Sequence, residues 1–253
     1  MDVLLISQEG QAESQTAGII AQALRAKPDL VLGLATGRTM KRVYAELARL
    51  HWEGGLDFSR CRTFNLDEYL GLPAEHPASY HRYMEEHLFR QINIQPEHTH
   101  VPDGMTADVM GECQRYEAMI QAAGGIDLQL LGLGLTGHIG FNEPGSPLDS
   151  RTRETRLTEL TRQQNAGPFG GLASAVPARA ITMGLGTILE AKRCLLLVTG
   201  SAKATILARV VEGPVTPLIP GSLLQRHPDC KVVVDAGAAR DLGMGSGDPA
   251  ADL

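Results

Sequence analysis

The chain has little positive charge and no long apolar run, and these two deficits exclude several classes of protein. Among its 253 residues, 23 lysines and arginines face 29 acidic residues, which gives a formal net charge of −6. Non-specific binding to nucleic acid or to an anionic membrane requires a basic face, so neither partner is expected. No apolar run is long enough to cross a bilayer. Residues 1–6 also lack the basic start and the cleavage site of a signal peptide.

The chain lacks closely spaced metal-binding or disulfide-forming residues. Its four cysteines contain no CxxC pair and are scattered, at Cys61, Cys113, Cys194 and Cys230. Such spacing is typical of reduced thiols in a cytoplasmic protein. No HxxxH or HExxH motif occurs, and His98-Thr99-His100 has no third ligand nearby in the sequence. We therefore expect no metal site.

What the chain does have is an alternation of strand-like and helix-like stretches. Short apolar runs predict strands at residues 3–6, 30–34, 62–65, 128–133, 180–183, 194–199 and 231–235. Apolar residues at helical spacing predict helices at residues 13–26, 40–50, 79–90, 107–122 and 202–211. This alternation is typical of a mostly parallel sheet with helices on both faces. We expect a single α/β domain over residues 1–242 and a flexible tail over residues 243–253.

The segment from Gly132 to Gly145 is the most informative stretch. Three glycines within six residues interrupt an apolar strand, and His138 and Glu143 follow, five residues apart. Ligands of α/β proteins bind in loops at the carboxyl ends of strands. A lone histidine is more often a surface or core residue, but one beside a possible orienting acid in such a loop predicts a proton-transfer site.

Two further strand-to-helix loops have the features of anion sites. The first loop offers flexible backbone and three side-chain donors, at Thr36, Gly37, Arg38 and Thr39. The second, Gly200 to Lys203, adds a mobile positive charge. Helix starts supply free N–H groups and a positive dipole end. Neither loop matches a P-loop or GxGxxG motif, so no nucleotide is expected. The alternatives are a plain turn with Thr39 as helix N-cap, and a surface lysine at 203.

Two adjacent carboxylates, Asp67 and Glu68, follow the strand predicted at 62–65. Like charges held close in a partly desolvated pocket raise one pKa, as a base that abstracts a proton at neutral pH requires. The alternative is a solvated acidic loop. We expect all four polar loops to meet at one edge of the sheet. Two anion-binding and two proton-handling loops together predict chemistry on a phosphorylated small molecule.

From about Leu30 to Asp235 the chain resembles the glucosamine-6-phosphate deaminases, also called glucosamine-6-phosphate isomerases. The resemblance rests on two long motifs, TFNLDEYLGL at 63–72 and GHIGFNEPG at 137–145. It implies a Rossmann-like fold without a nucleotide. It also implies a hydrolase or isomerase activity in amino sugar catabolism. That reaction converts glucosamine 6-phosphate and water to fructose 6-phosphate and ammonia with no cofactor.

The resemblance also implies roles for individual residues. Asp67 would be the base that moves a proton between C2 and C1 through an enolamine, with Glu68 beside it. His138 would assist opening of the sugar ring, and Glu143 would orient that histidine. The substrate would be bound by the two anion loops and the turn before the histidine, that is, by Thr36, Gly37, Arg38, Thr39, Gly137 and Lys203.

The chain departs from the family pattern at several positions. Thr136 stands where many members have Asp or Asn, so His138 is expected to rely on Glu143 alone. Gly167 stands where many members have a phosphate-binding Arg, and we expect Arg38 to replace that guanidinium. The allosteric hexameric branch resembles this chain less, because it has a longer tail and a basic residue where this chain has Thr155. We therefore expect a monomer or small homo-oligomer without activation by N-acetylglucosamine 6-phosphate.

Three alternative functions share this fold. One is a deaminase for another hexosamine phosphate, such as galactosamine 6-phosphate, which the departures above could mark. Another is 6-phosphogluconolactonase, but lactonases typically lack the Phe141-Asn142-Glu143-Pro144 stretch found here. The third is a non-catalytic sugar-phosphate sensor, which would require loss of Asp67 or His138, and both are present.

Overall fold

The computed structural model describes residues 1–8 and 10–243, so residues 244–253 of the predicted tail lie outside the described residues. The helices and strands, in chain order, are β1 (Asp2–Ile6), α1 (Gln11–Ala26), β2 (Val31–Leu34), α2 (Arg38–Gly54), β3 (Arg62–Asn65), β4 (Asp67–Tyr69), α3 (Tyr80–His87), β5 (Thr99–His100), α4 (Val109–Ala122), β6 (Leu128–Gly132), β7 (Arg153–Arg156), α5 (Glu159–Gln164), β8 (Arg179–Thr182), α6 (Leu185–Leu189), β9 (Cys194–Val198), α7 (Ala204–Val211) and β10 (Cys230–Asp235).

Seven of these strands form one parallel sheet in the order β1-β10-β9-β6-β2-β3-β5. Every residue of β2 and β9 is buried, because helices cover both faces of the sheet centre. The predicted fold class, a mostly parallel Rossmann-like sheet in a single α/β domain, is confirmed. None of the described helices is long and apolar enough to span a membrane.

The direction of chain progression reverses at the sheet centre. From β2 the chain proceeds outward through β3 to β5, and it then returns to place β6 on the other side of β2. Such a reversal opens a crevice at the carboxyl ends of the two strands. The four polar loops predicted to converge follow β9, β6, β2 and β3, which are consecutive neighbours in the sheet. The topology therefore brings all four loops to one edge.

A second, antiparallel sheet has the order β4-β8-β7 and was not predicted. The strand predicted at 180–183 belongs to this sheet as β8. Asp67 and Glu68 lie on β4 rather than in a loop, so that prediction is wrong in its local structure. Strands rich in Asp, Glu and Arg have low intrinsic strand propensity, and burial with cross-strand pairing stabilises them here. The register aligns Asp67 with Thr182 and Thr182 with Arg153.

Several helix boundaries differ from the prediction. Helix α2 begins at Arg38 with Gly37 as its N-cap, so Thr39 is not the cap. Helix α3 ends at His87, and a single 3-10 turn, Phe89–Gln91, covers the rest of the predicted helix. Another 3-10 turn, Ser201–Lys203, precedes α7. Helices α5 and α6 were not predicted because six and five residues are too few to show a helical period.

Candidate active site

Asp67 lies on β4 with only 5% of its surface exposed. Burial raises the pKa of its carboxyl to about 8, and the negative charge of Glu68 adds to this rise. The nearby backbone N–H of Phe141, which donates to Thr182 Oγ1 at 3.1 Å, lowers this pKa. A carboxyl group with a pKa near neutrality can both take up and return a proton at physiological pH.

Glu68 anchors the start of α3. Its carboxylate accepts backbone N–H bonds from Tyr69 at 2.8 Å, Tyr80 at 3.0 Å and His81 at 2.8 Å. Burial raises the pKa of Glu68 to about 7, although these three N–H groups lower it. Because both carboxylate oxygens are occupied by backbone donors, Glu68 acts on the site through its position and its charge next to Asp67.

His138 lies in the loop after β6, with its ring packed against the backbone of Gly134. A Cβ atom at position 134 would lie 2.1 Å from the ring, so the ring can occupy this place only beside a glycine. Burial lowers the pKa of His138, and the positive charge of Lys203 lowers it further, whereas Glu143 raises it. The imidazole is therefore neutral at pH 7 and can accept a proton.

Thr136 provides the nearest partner of this histidine. Its Oγ1 lies 2.8 Å from His138 Nδ1, whereas Glu143 Oε2 lies 3.7 Å from the same nitrogen. The expectation that His138 relies on Glu143 alone is therefore wrong, because the threonine hydroxyl occupies the closer position. With a proton on Nδ1 directed at these two oxygens, Nε2 is free to act as the base.

Glu143 is held rigidly by hydroxyl groups from α5 and its N-cap. Its Oε1 accepts hydrogen bonds from Thr158 Oγ1 at 3.1 Å and from Thr161 Oγ1. Its Oε2 is buried, faces the imidazole, and has no hydrogen-bond partner among the described residues. An imidazolium formed at His138 would thus meet a fixed carboxylate charge.

The anion loop, residues 36–39, is formed by the end of β2 and the first turn of α2. Gly37 has a φ of +120°, which favours glycine, and no side chain caps the first turn of this 17-residue helix. The free N–H groups and the positive end of the helix dipole therefore face the crevice. Thr39 Oγ1 lies 3.4 Å from Thr199 Oγ1, which joins this loop to the one after β9.

Lys203 is a partly buried cation beside the anion loop. Burial lowers the pKa of its ammonium group to about 8, and the nearby positive charge of Arg38 lowers it further. No carboxylate contributes to this shift in the opposite direction. Two cations that repel each other, with no acidic partner within residues 1–8 and 10–243, form a site to which a multiply charged anion would bind favourably.

Gly140 lies where the histidine loop contacts Asp67 on β4. A Cβ atom at this position would lie 3.3 Å from Asp67 Oδ2 and 3.2 Å from Thr182 Oγ1. The backbone of the histidine loop therefore lies directly against the carboxylate on β4. Since Lys203 in turn influences the pKa of His138, the structure brings together Asp67, His138, Glu143, Lys203 and the anion loop.

Gly137, a predicted substrate-binding residue, has a clear role in the turn. Its φ is +79°, its N–H donates to the Gly134 carbonyl at 3.1 Å, and its carbonyl accepts from the Gly221 N–H at 2.7 Å. A contact between Gly137 and substrate stays a prediction. Sequence reasoning missed Thr158, Thr161 and Thr182, because only the packing of distant segments brings these hydroxyl groups into the site.

A separate groove of about 740 Å³ lies between α4 and α6 and contains none of the predicted residues. Its charged groups are already paired, since Arg151 contacts both Glu117 at 2.6 Å and Glu190 at 2.6 Å. Within residues 1–8 and 10–243, no three His, Cys, Asp or Glu side chains form a group that could hold a metal ion.

Residues 8–233 match the family described as glucosamine-6-phosphate isomerases/6-phosphogluconolactonase. The chain belongs to this family. It is 49% identical over 238 residues to glucosamine-6-phosphate deaminase 2 of Giardia intestinalis, covering 94% of this chain and 90% of the relative. A solved monomeric glucosamine-6-phosphate deaminase is 42% identical, with a TM-score of 0.92 over 95% of this chain and 99% of its own.

A less similar solved structure shares the fold. The 6-phosphogluconolactonase from Trypanosoma cruzi is 20% identical, with a TM-score of 0.76 over 96% of this chain and 97% of its own. The family thus contains two chemistries on one fold. The residues of the site have to distinguish between them.

Proposed function

We propose that this protein is a glucosamine-6-phosphate deaminase that converts glucosamine 6-phosphate and water to fructose 6-phosphate and ammonia. The observation that carries the proposal is the buried Asp67 carboxylate, which lies against Gly140 in the loop of His138. Lactone hydrolysis breaks no carbon–hydrogen bond. A base of raised pKa beside a ring-opening histidine is what an aldose–ketose proton transfer requires.

The phosphate of the substrate would bind the anion loop and Lys203. With the phosphate held there, neutral His138 takes the proton of the C1 hydroxyl and returns it to the ring oxygen, which opens the ring. Glu143 stabilises the transient imidazolium. This division of roles uses the tautomer in which Nδ1 of His138 carries the proton.

Asp67 then removes the C2 proton of the open-chain aldehyde and delivers it to C1. The electron pair of the C2–H bond forms the C1–C2 double bond of an enolamine while the C1 oxygen takes up a proton. Return of the proton from Asp67 to C1, with loss of a proton from nitrogen, leaves a hydroxyl at C1 and an imine at C2. Water adds to this imine, and ammonia departs to give the ketose. Glu68 keeps the pKa of Asp67 high, so that the proton is returned rather than lost.

Ammonia release from glucosamine 6-phosphate tests this function. Galactosamine 6-phosphate and 6-phosphogluconolactone are assayed in parallel on the same preparation. We expect equal amounts of ammonia and fructose 6-phosphate from the first substrate. Ammonia from galactosamine 6-phosphate alone, or lactone hydrolysis alone, would overturn the assignment.

The proposal includes a cytoplasmic location and a monomer or small homo-oligomer. All four cysteines are buried and free of disulfides, which is compatible with a reducing compartment. A monomeric relative with the same fold supports the smaller assembly. Light scattering on the purified chain measures the assembly directly.

Replacing Arg38 with Ala is expected to raise KM about 10-fold with little change in kcat, because one charge-assisted bond to phosphate is lost. Arg42→Ala is the matched control, since Arg42 is one turn further along α2 and pairs with Glu13 at 3.7 Å. Steady-state kinetics on the two variants provide the comparison. An unchanged KM in Arg38→Ala would show that Arg38 does not replace the missing guanidinium.

The pH profile of kcat/KM is expected to be bell-shaped with its maximum near pH 8. Asp67 must be deprotonated, and its pKa of about 8 makes activity rise with pH. Lys203 must be charged, and its pKa of about 8 makes activity fall at higher pH. In Lys203→Arg the alkaline limb should disappear, because the guanidinium stays charged. An alkaline limb of unchanged position in that variant would exclude Lys203 as its source.

A further inference from the structure

The side chain of Tyr80 lies between the histidine loop and β4. Its ring stacks on Phe141 of the histidine loop, with centroids 5.9 Å apart and an interplanar angle of 19°. It also packs against Tyr69 of β4, with centroids 4.9 Å apart. Tyr80 is only partly buried, so it is not sealed inside the core.

The first turns of α3, which carry Tyr80, contact both functional ends of the site. The backbone N–H of Tyr80 donates to Glu68, next to Asp67, at 3.0 Å. Tyr83, three residues further along α3, donates from its hydroxyl to the Gly37 carbonyl of the anion loop at 2.7 Å. Burial raises the pKa of Tyr80, and the nearby Tyr69 and Asp67 raise it further. Tyr80 therefore lies between the anion loop and Asp67.

The Tyr80 hydroxyl is paired with a second phenol. It lies 3.2 Å from the Tyr69 hydroxyl. Each phenol has one donor and two acceptor positions. Such hydroxyl groups can exchange a protein partner for a hydroxyl group of a bound sugar at little cost.

We propose that the Tyr80 hydroxyl binds the sugar hydroxyl groups on the carbons between the phosphate and the C1–C2 pair. This inference rests on the proposed function, because it places the phosphate at the anion loop and the reacting carbons at Asp67. Tyr80 then distinguishes a hexosamine phosphate of the correct length and hydroxylation from a bare phosphate ester.

Tyr80→Phe tests the inference by comparing two ligands. Calorimetric titration with the unreactive open-chain amino alditol phosphate, the reduced form of glucosamine 6-phosphate, and with inorganic phosphate measures binding without turnover. We expect affinity for the sugar phosphate to fall about 10-fold, which corresponds to one lost hydrogen bond of about 1.4 kcal/mol, with phosphate affinity unchanged. Equal losses for both ligands, or no loss for either, would overturn the inference.

Tyr83→Phe is the matched control from the same helix. The Tyr83 hydroxyl donates to the Gly37 carbonyl at 2.7 Å, so its removal should weaken both ligands together through the anion loop. If Tyr80→Phe does not fold, Tyr69→Phe removes the partner hydroxyl and should also weaken the sugar phosphate selectively. Because the readout is binding, an absence of ammonia release by the wild type would refute the proposed function without deciding the role of Tyr80.

Discussion

Replacing Asp67 with Asn is expected to lower kcat by about 10³-fold or more, because the amide cannot carry the proton between C2 and C1. Glu68 cannot take over this task, since its carboxylate is occupied by three backbone N–H groups. Stopped assays of ammonia at saturating glucosamine 6-phosphate measure the loss. A kcat within a few-fold of wild type would remove Asp67 as the base.

The same substitution is expected to raise the melting temperature at pH 8. The pKa of Asp67 is raised in the folded protein, so the folded state binds a proton that the unfolded state has released. Stability is therefore present at low pH and is lost as pH rises through about 8. Asparagine carries no charge, so it avoids the cost of burying an ionised carboxylate. A variant that loses activity but has a raised melting temperature has therefore not lost activity through unfolding.

Asp149→Asn is the control for both measurements. Asp149 is exposed, so its replacement should leave kcat and the melting temperature as in the wild type. If Asp67→Asn lowered the melting temperature instead, the carboxylate would stabilise the fold, and the loss of turnover would have a structural component.

Replacing His138 with Gln is expected to lower kcat by about 10²-fold on the ring form of the substrate, because no neutral imidazole remains to exchange the ring proton. Glutamine can still meet the Thr136 hydroxyl, so the loop should keep its position. The step after ring opening depends on Asp67 and should be unaffected.

The reduced, open-chain amino alditol phosphate isolates ring opening from binding. It has no ring to open, so its inhibition constant should be the same for His138→Gln and the wild type. Weaker inhibition in the variant would show that His138 binds the open chain as well. Deuterium exchange at C2 of substrate then shows whether proton transfer by Asp67 persists.

The centre of the fold was predictable because its strands are apolar on both faces. The strands β2 and β9 are continuous apolar runs, and β6 is apolar apart from Gln129, which is typical of a parallel sheet covered on both faces. The antiparallel sheet was not predictable, because β4 reads Asp-Glu-Tyr and β7 reads Arg-Glu-Thr-Arg. Their stability comes from pairing with β8, a contact between distant parts of the chain.

The site shows the same division between local and distant information. The convergence of His138 and Lys203 follows from loops at one edge of a parallel sheet, which strand alternation already implies. Asp67 reaches the same edge because β4 begins two residues after β3 ends. The hydroxyl of Thr136 at His138 and the place of Tyr80 follow from side-chain packing between loops. The spacing of residues along the sequence does not reveal such contacts. The family resemblance gave Asp or Asn, rather than Thr, as the usual residue at position 136.

The two chemical groups of this enzyme come from different sheets. In the proposed mechanism, the parallel sheet carries the phosphate-binding loops and the histidine, whereas the small antiparallel sheet carries the base that acts at C2. The histidine loop of the first meets the second where Gly140 lies against Asp67. On that mechanism, changes confined to the antiparallel sheet would alter the reaction and leave the binding site for the sugar phosphate in place.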